Sequence, residues 1–173
     1  MLPGKQVLLR PFQPDDLPAL YRIISDLDTW AARSRRAPQP LTFEAFRDWY
    51  VPATAGIDGV EFVVEAEGAP VGRCGMFGED TFAQAAEVGI ALLPGARGRG
   101  YGTDALRVLV GFLFRARNLR RLHLETLASN TAALASYGKV GFVKEGVLRR
   151  HAFADGAYVD TVVMGLLREE WAG

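Results

Sequence analysis

The sequence predicts a mixed α+β domain, and two patterns predict it. Between Val60 and Leu93, short apolar segments alternate with brief polar turns, which is the mark of an antiparallel meander. Directly afterwards a glycine-rich turn opens a helix with an apolar period of about 3.6 residues, and another strand follows. A strand, a crossover helix and a strand in this order make a parallel pair. At 173 residues, with 49% hydrophobic and 23% charged, the chain suits one domain over 1–173 with a core of its own.

The elements follow in order. Val7-Leu8-Leu9 begins a strand that stops at Pro11, and Asp15 and Asp16 then sit in the first turn of a helix whose Leu17, Leu20, Tyr21 and Ile24 share a face. Trp30 to Pro40 is a loop rich in Arg and Pro. Thr42 caps a second helix with the apolar stripe Phe43, Phe46, Trp49 and Tyr50. Val60 to Ala66, Val71 to Phe77 and Glu87 to Leu93 are the strands of the meander, with Glu67-Gly68-Ala69-Pro70 as one of its turns. Leu106, Leu109, Val110 and Leu113 form the buried stripe of the next helix, and Arg115 and Arg117 suit its C-terminal end. About 15 residues of helix carry the chain about 22 Å back to a strand from Arg121 to Leu127. Asn130 caps a short helix that runs through Lys139, and Gly141 ends it before Phe142 and Val143 re-enter the sheet. After a hairpin turn at Gly156, Tyr158 to Leu166 is the last strand.

Charge narrows the function classes. Lys plus Arg and Asp plus Glu are 20 each, so no global field favours nucleic acid or an anionic membrane. The longest apolar run, Val108 to Phe114, lies between Arg107 and Arg115 and falls far short of the roughly 20 residues a bilayer needs. The lone Cys74 reads as a small core residue, and no signal or transit peptide opens the chain, which points to the cytoplasm. His123, His151 and Cys74 have no metal-ligand spacing, so no metal is expected.

The most informative segment runs from Leu92 to Ala105, where an apolar strand meets a turn with four glycines and two arginines and a helix begins. Backbone N–H groups, the positive end of a helix dipole and guanidinium charge then converge on one small space, which suits a pyrophosphate. A P-loop requires lysine and then Ser/Thr after its second glycine, but Gly100 is followed by Tyr101 and Gly102. A dinucleotide fingerprint starting at Gly98 has Thr103 where its third glycine belongs.

The remaining pattern, Arg97-Gly98-Arg99-Gly100-Tyr101-Gly102, resembles the coenzyme A loop of the GNAT acetyltransferases. Asn130, Tyr137 and Gly141-Phe142 are similar to that family's closing motif. Leu9-Arg10-Pro11, Asp15-Asp16-Leu17, Glu145-Gly146, Gly156, Tyr158, Asp160 and Glu170-Trp171 resemble its ribosomal-protein N-terminal acetyltransferase branch. The resemblance implies a largely antiparallel twisted sheet of about six or seven strands with about four helices, its parallel strands splayed at the cofactor cleft. It also implies acetyl-CoA as acyl donor and a primary amine, of a small molecule or a peptide N-terminus, as acceptor. A non-catalytic acyl-CoA-binding module of the same fold is the alternative.

By the same resemblance, pantetheine lies beside Leu92 and Leu93, where a backbone N–H near Leu92 faces the thioester oxygen. The pyrophosphate meets the N–H groups from Gly98 to Thr103, with Arg97 and Arg99 nearby; Arg99 is either a ligand contact or a solvent-facing charge. Asn130 touches pantetheine, Ala133 leaves room for it, and Tyr137 protonates the departing thiolate. Glu87 is the expected base, with Glu125 and His123 as alternatives of equal strand parity. Trp30, Arg33, Arg35, Arg36 and Trp49 either line the acceptor cleft or form a solvated loop beside core tryptophans. If they line it, the acceptor bears a carboxylate or phosphate near its amine and a polyamine is a poor substrate. His151, with Asp155 and Asp160, closes the other side, and an apolar sheet edge suits a homodimer.

Overall fold

The computed structural model describes residues 1–27, 30, 40–54 and 59–173. Its strands are β1 (Leu2–Pro3), β2 (Leu8–Arg10), β3 (Val60–Ala66), β4 (Ala69–Asp80), β5 (Ala85–Leu92), β6 (Arg121–Leu127), β7 (Val143–Ala154) and β8 (Ala157–Leu167). Helices α1 (Leu17–Ser25), α2 (Phe43–Thr54), α3 (Tyr101–Ala116) and α4 (Thr131–Val140) accompany them. The strands form one sheet in the order β1-β2-β3-β4-β5-β6-β8-β7. Every neighbouring pair is antiparallel except β5–β6, the pair joined by the crossover helix α3. The eighth strand beyond the expected range is the two-residue β1, too short to leave a pattern in the sequence.

Side chains alternate across the sheet, so each face carries its own apolar layer. Cys74, Met76, Ala86, Val88, Leu122 and Leu124 pack against the α3 stripe Leu106, Leu109, Val110 and Leu113. On the other face Val63 and Ala91 meet Leu17, Leu20, Ile23 and Ile24 of α1 and Phe46 and Tyr50 of α2. Cys74 is buried, which pushes its thiol pKa up and makes it unreactive.

Two sequence readings shift. In α1, Tyr21 stands beside the buried stripe and its hydroxyl donates to Leu41 O at 2.7 Å. In α2, Phe46 and Tyr50 are buried and stacked with centroids 5.0 Å apart, but Trp49 is 53% exposed. At about 100° per residue, Trp49 falls at the margin of that stripe and leans on the rings of Phe46 and Tyr50.

The motif Leu9-Arg10-Pro11 with Asp15-Asp16 proves to be a staple between sheet and helix. Arg10 grips Asp16 through two bonds of 2.7 Å, and its Nε donates to Glu65 Oε2 on β3 at 2.5 Å. Burial alone would raise the Asp16 carboxyl; the Arg10 guanidinium and the Gln13 N–H hold it below its ordinary value near 3.8. A depressed folded pKa contributes stability above the unfolded value that is lost as pH falls through the folded one. Asp16→Asn is therefore expected to lower Tm at neutral pH and to converge on wild type in acid, below the ordinary carboxyl value. A Tm difference that stays constant across a pH series would remove this role.

Candidate active site

The glycine turn has the backbone shape the spacing suggests. A 3-10 turn, Pro94–Ala96, leads into Gly98 and Gly100, with φ of 74° and 88°. Glycine adopts that left-handed region without strain, and a Cβ at Gly98 would meet no protein atom within 4 Å. The first main-chain bond of α3 is Asp104 N–H to Gly100 O, 3.1 Å. The N–H groups of Tyr101, Gly102 and Thr103 thus stand outside the helical ladder, at the positive end of a 16-residue helix.

Side chains fix this turn from behind. Asp104, 7% exposed, accepts from Gln6 N–H at 2.6 Å and Val7 N–H at 3.1 Å, and so ties the N-terminal strands to the first turn of α3. Thr103 and Ser136 share a hydroxyl bond of 2.7 Å that links the turn to α4. Neither tie is visible in the sequence, because each joins residues brought together by tertiary packing.

The parallel pair opens beside the turn. β5 and β6 are registered only at Ala85↔Arg121, Ala86↔Leu122 and Glu87↔His123. Beyond that, β5 stays with β4 while β6 stays with β8, so the strands diverge toward Leu92 and Leu127. Leu93 N–H donates to Val71 O at 2.9 Å on the β4 side. Antiparallel alternation turns the N–H and C=O of Leu92 the other way, into the gap. Arg97 reaches back to that carbonyl, with Nε at 3.3 Å and Nη2 at 3.2 Å, and pairs with Asp26 at 3.6 Å.

A cleft of about 570 Å³ passes through this gap and so has walls on both faces of the sheet. On the α3 side it meets Leu92, Gly98, Gly100, Gly102, Thr103, Leu106 and the α4 residues Ala133, Tyr137 and Lys139, with Arg97 and Asn130 beside them. On the α1–α2 side it meets Glu61, Arg73, Phe77, Glu87, Gly89, Ala91 and Glu125. The charges are unevenly shared: Arg97 and Lys139 accompany the bare amides, while the other wall carries Glu61, Glu87 and Glu125, with Arg73 paired to Glu61.

Asn130 caps α4, its Oδ1 accepting Ala133 N–H at 3.2 Å, while it also lines the cleft; the two jobs are compatible. Tyr137 is 6% exposed, with its ring edge-on to Phe142 at 6.0 Å. Its hydroxyl has no protein hydrogen-bond partner among the described residues. Burial, and then the charge of Glu87, push its pKa up to about 12, so the phenol stays protonated at neutral pH.

Sequence reasoning missed the network that forms the far end of the acidic wall. The Tyr50 hydroxyl donates to Glu61 Oε1, and Arg73 Nη1 donates to Glu61 Oε2 at 2.6 Å. These residues come from α2, β3 and β4. The register of β3 on β4 and the packing of α2 against that face bring them together.

Other expected site residues lie elsewhere. Arg99 donates to Glu67 Oε1 at 2.7 Å and stacks over Tyr101, whose own hydroxyl donates to the same oxygen at 2.7 Å. Both side chains face the β3–β4 turn, because Tyr101 begins the buried stripe of α3. Leu93 is spent on β4 and does not line the cleft. Trp30 packs against the α1–α2 apolar layer. His151 is exposed on β7, an edge strand separated from the gap by β8 and β6. His123 also lies outside the lining, while Arg33, Arg35 and Arg36 lie outside the described residues.

No helix among the described residues is long and apolar enough to cross a membrane. The chain is 29% identical over 169 residues to the spermidine N(1)-acetyltransferase of Escherichia coli K12, covering 95% of this chain and 88% of that one. Among solved structures it superposes on the spermidine N-acetyltransferase of Vibrio cholerae in complex with CoA and spermine. That match has a TM-score of 0.89 at 22% identity and covers 98% and 100% of the two chains. Mycobacterium smegmatis RimJ in complex with CoA-disulfide gives a TM-score of 0.81 at 24% identity, covering 96% and 84%. The model of the acetyltransferase (GNAT) domain matches residues 6–143, a span that includes the glycine turn, the splayed strands and Tyr137. The chain therefore belongs to the GNAT acetyltransferases, and is an acetyl-CoA-dependent N-acetyltransferase.

Proposed function

We propose that the acceptor is a primary amine, of a small molecule or a peptide N-terminus, and that it is acetylated by direct attack in a ternary complex. The observation that carries this reading is the two-faced cleft with its unevenly shared charges. The cationic, amide-rich wall suits an anionic donor, and the acidic wall suits an ammonium acceptor. Bound acetyl-CoA supplies an activated thioester carbonyl, so the chain has only to place, deprotonate and stabilise.

Each role falls to a residue at the gap. Glu87 takes the proton that frees the nitrogen lone pair, with Glu125 on the neighbouring strand as the rival base. The N–H of Leu92 donates toward the carbonyl oxygen. The N–C bond forms as the C–S bond breaks, and Tyr137 gives its phenolic proton to the departing sulfur. The N–H groups of Gly98 to Thr103 and the Arg97 guanidinium hold the diphosphate. The acidic wall, and relatives named for spermidine, favour cationic acceptors over the carboxylate-bearing ones suggested by the arginine loop.

The test is thiol release from acetyl-CoA across a panel of amines and peptides with free N-termini, beside a calorimetric titration of the donor. Glu87→Gln is expected to lower kcat by about a hundredfold and Glu125→Gln by much less. The reverse order would transfer the role to Glu125. Donor binding without thiol release for any amine would favour the non-catalytic module.

A further inference from the structure

One large apolar side chain on the acidic wall has no part in this chemistry. Phe77 is 44% exposed and lines the cleft. It stands directly across the β4–β5 ladder from Glu87, and its ring lies over Gly89. A Cβ at Gly89 would come within 2.9 Å of the ring atom Cε2. The missing side chain is what lets the ring lie flat in the cleft instead of standing out into water.

Gly89 belongs to a bare row. Glu61 is registered on Gly75, and Gly75 on Gly89. A Cβ at Gly75 would lie 2.2 Å from Val60 O, so that position tolerates only glycine. Two adjacent strands without side chains leave a low floor roughly 10 Å long between the Glu61–Arg73 pair and the gap between β5 and β6, with the Phe77 ring lying over its Gly89 end. Carboxylates stand beside it at Glu87 and Glu125, and the Phe77 ring forms its apolar side.

Such a surface has one chemistry. Glu87 and Glu125 attract an ammonium and repel a carboxylate next to it, while an exposed aromatic face is best covered by hydrocarbon. We infer that Phe77, laid flat by Gly89, is a specificity-determining residue that selects primary amines carrying an apolar alkyl or aryl arm and no adjacent carboxylate. This rests on the acceptor reading above and sharpens it.

Steady-state thiol release with the full chain, comparing phenethylamine, ethylamine and phenylalanine, tests it. Phenethylamine is expected to exceed ethylamine at least tenfold in kcat/KM, with phenylalanine poorer still. Phe77→Ala should raise KM for phenethylamine about tenfold while kcat, the ethylamine constants and acetyl-CoA affinity stay put. Phe77→Tyr should restore most of the loss, and Gly89→Ala, which displaces the ring, should copy Phe77→Ala. Equal kcat/KM for phenethylamine and ethylamine, or an equal loss for both in Phe77→Ala, would overturn the inference and leave the acetyltransferase reading intact. Absence of thiol release with every amine tried, donor binding being retained, would overturn both.

Discussion

Tyr137→Phe lowers kcat about a hundredfold and leaves acetyl-CoA affinity within about twofold. The asymmetry follows from where the hydroxyl sits. The ring is buried against Phe142 and the α3–α4 layer, and phenylalanine preserves that packing. The hydroxyl makes no protein bond among the described residues, so its loss orphans nothing and costs little stability. The only thing removed is a proton on the wall of the cleft. Because burial and Glu87 hold the phenol protonated up to about pH 12, wild-type activity should show no fall from Tyr137 titration until well above pH 10. Because burial and then Glu87 penalise only the ionised phenol, this group leaves stability unchanged below the ordinary tyrosine value of 10.0 and lowers it as pH climbs from there through the folded pKa. Stopped-flow thiol release and calorimetry separate turnover from affinity. Unchanged kcat in the variant would eliminate Tyr137 as the acid.

Arg73→Met destabilises the protein by about 3 kcal/mol, the low end for a broken buried pair because the cleft admits some water. Arg73 and Glu61 are only 15% and 19% exposed in their side chains, and their bond is 2.6 Å. Without Arg73, Glu61 retains the Tyr50 hydroxyl but loses its counter-charge, and a mostly buried carboxylate is left uncompensated. In a chain of this size, that corresponds to a fall in Tm of roughly 6–12 °C. Combining Arg73→Met with Glu61→Leu should recover most of the loss, since removing both charges removes the uncompensated one. Differential scanning calorimetry on wild type, the single variant and the double variant decides the matter. A single variant as stable as wild type would mean that the pair is effectively solvated.

Much of this architecture is legible along the chain. The stripe Leu106, Leu109, Val110 and Leu113, the Asn130 cap and the αL Gly141 stand where their spacing puts them, because helix periodicity and capping are local properties. Glu87, Glu125, Asn130, Ala133 and Tyr137 do meet at one cleft. Arg99 and Tyr101 illustrate the converse. Their positions within the loop motif say nothing about Glu67, which lies more than 30 residues away in sequence and captures both. Phe77, Arg73 and Glu61 carried no signal at all, since strand parity places a residue on a face only once the register of its neighbours is known.

Local sequence was enough to specify the helices, the central strands, and a glycine turn suited to a diphosphate, because these depend on propensity, periodicity and backbone freedom over a few residues. The acidic wall, the Phe77 surface and the direction in which Leu92 aims its N–H came from the folded sheet. They depend on which strands pair, in what register, and where β5 and β6 part. Those are long-range contacts, and their free energies are settled by packing across the whole molecule rather than by any short stretch of chain.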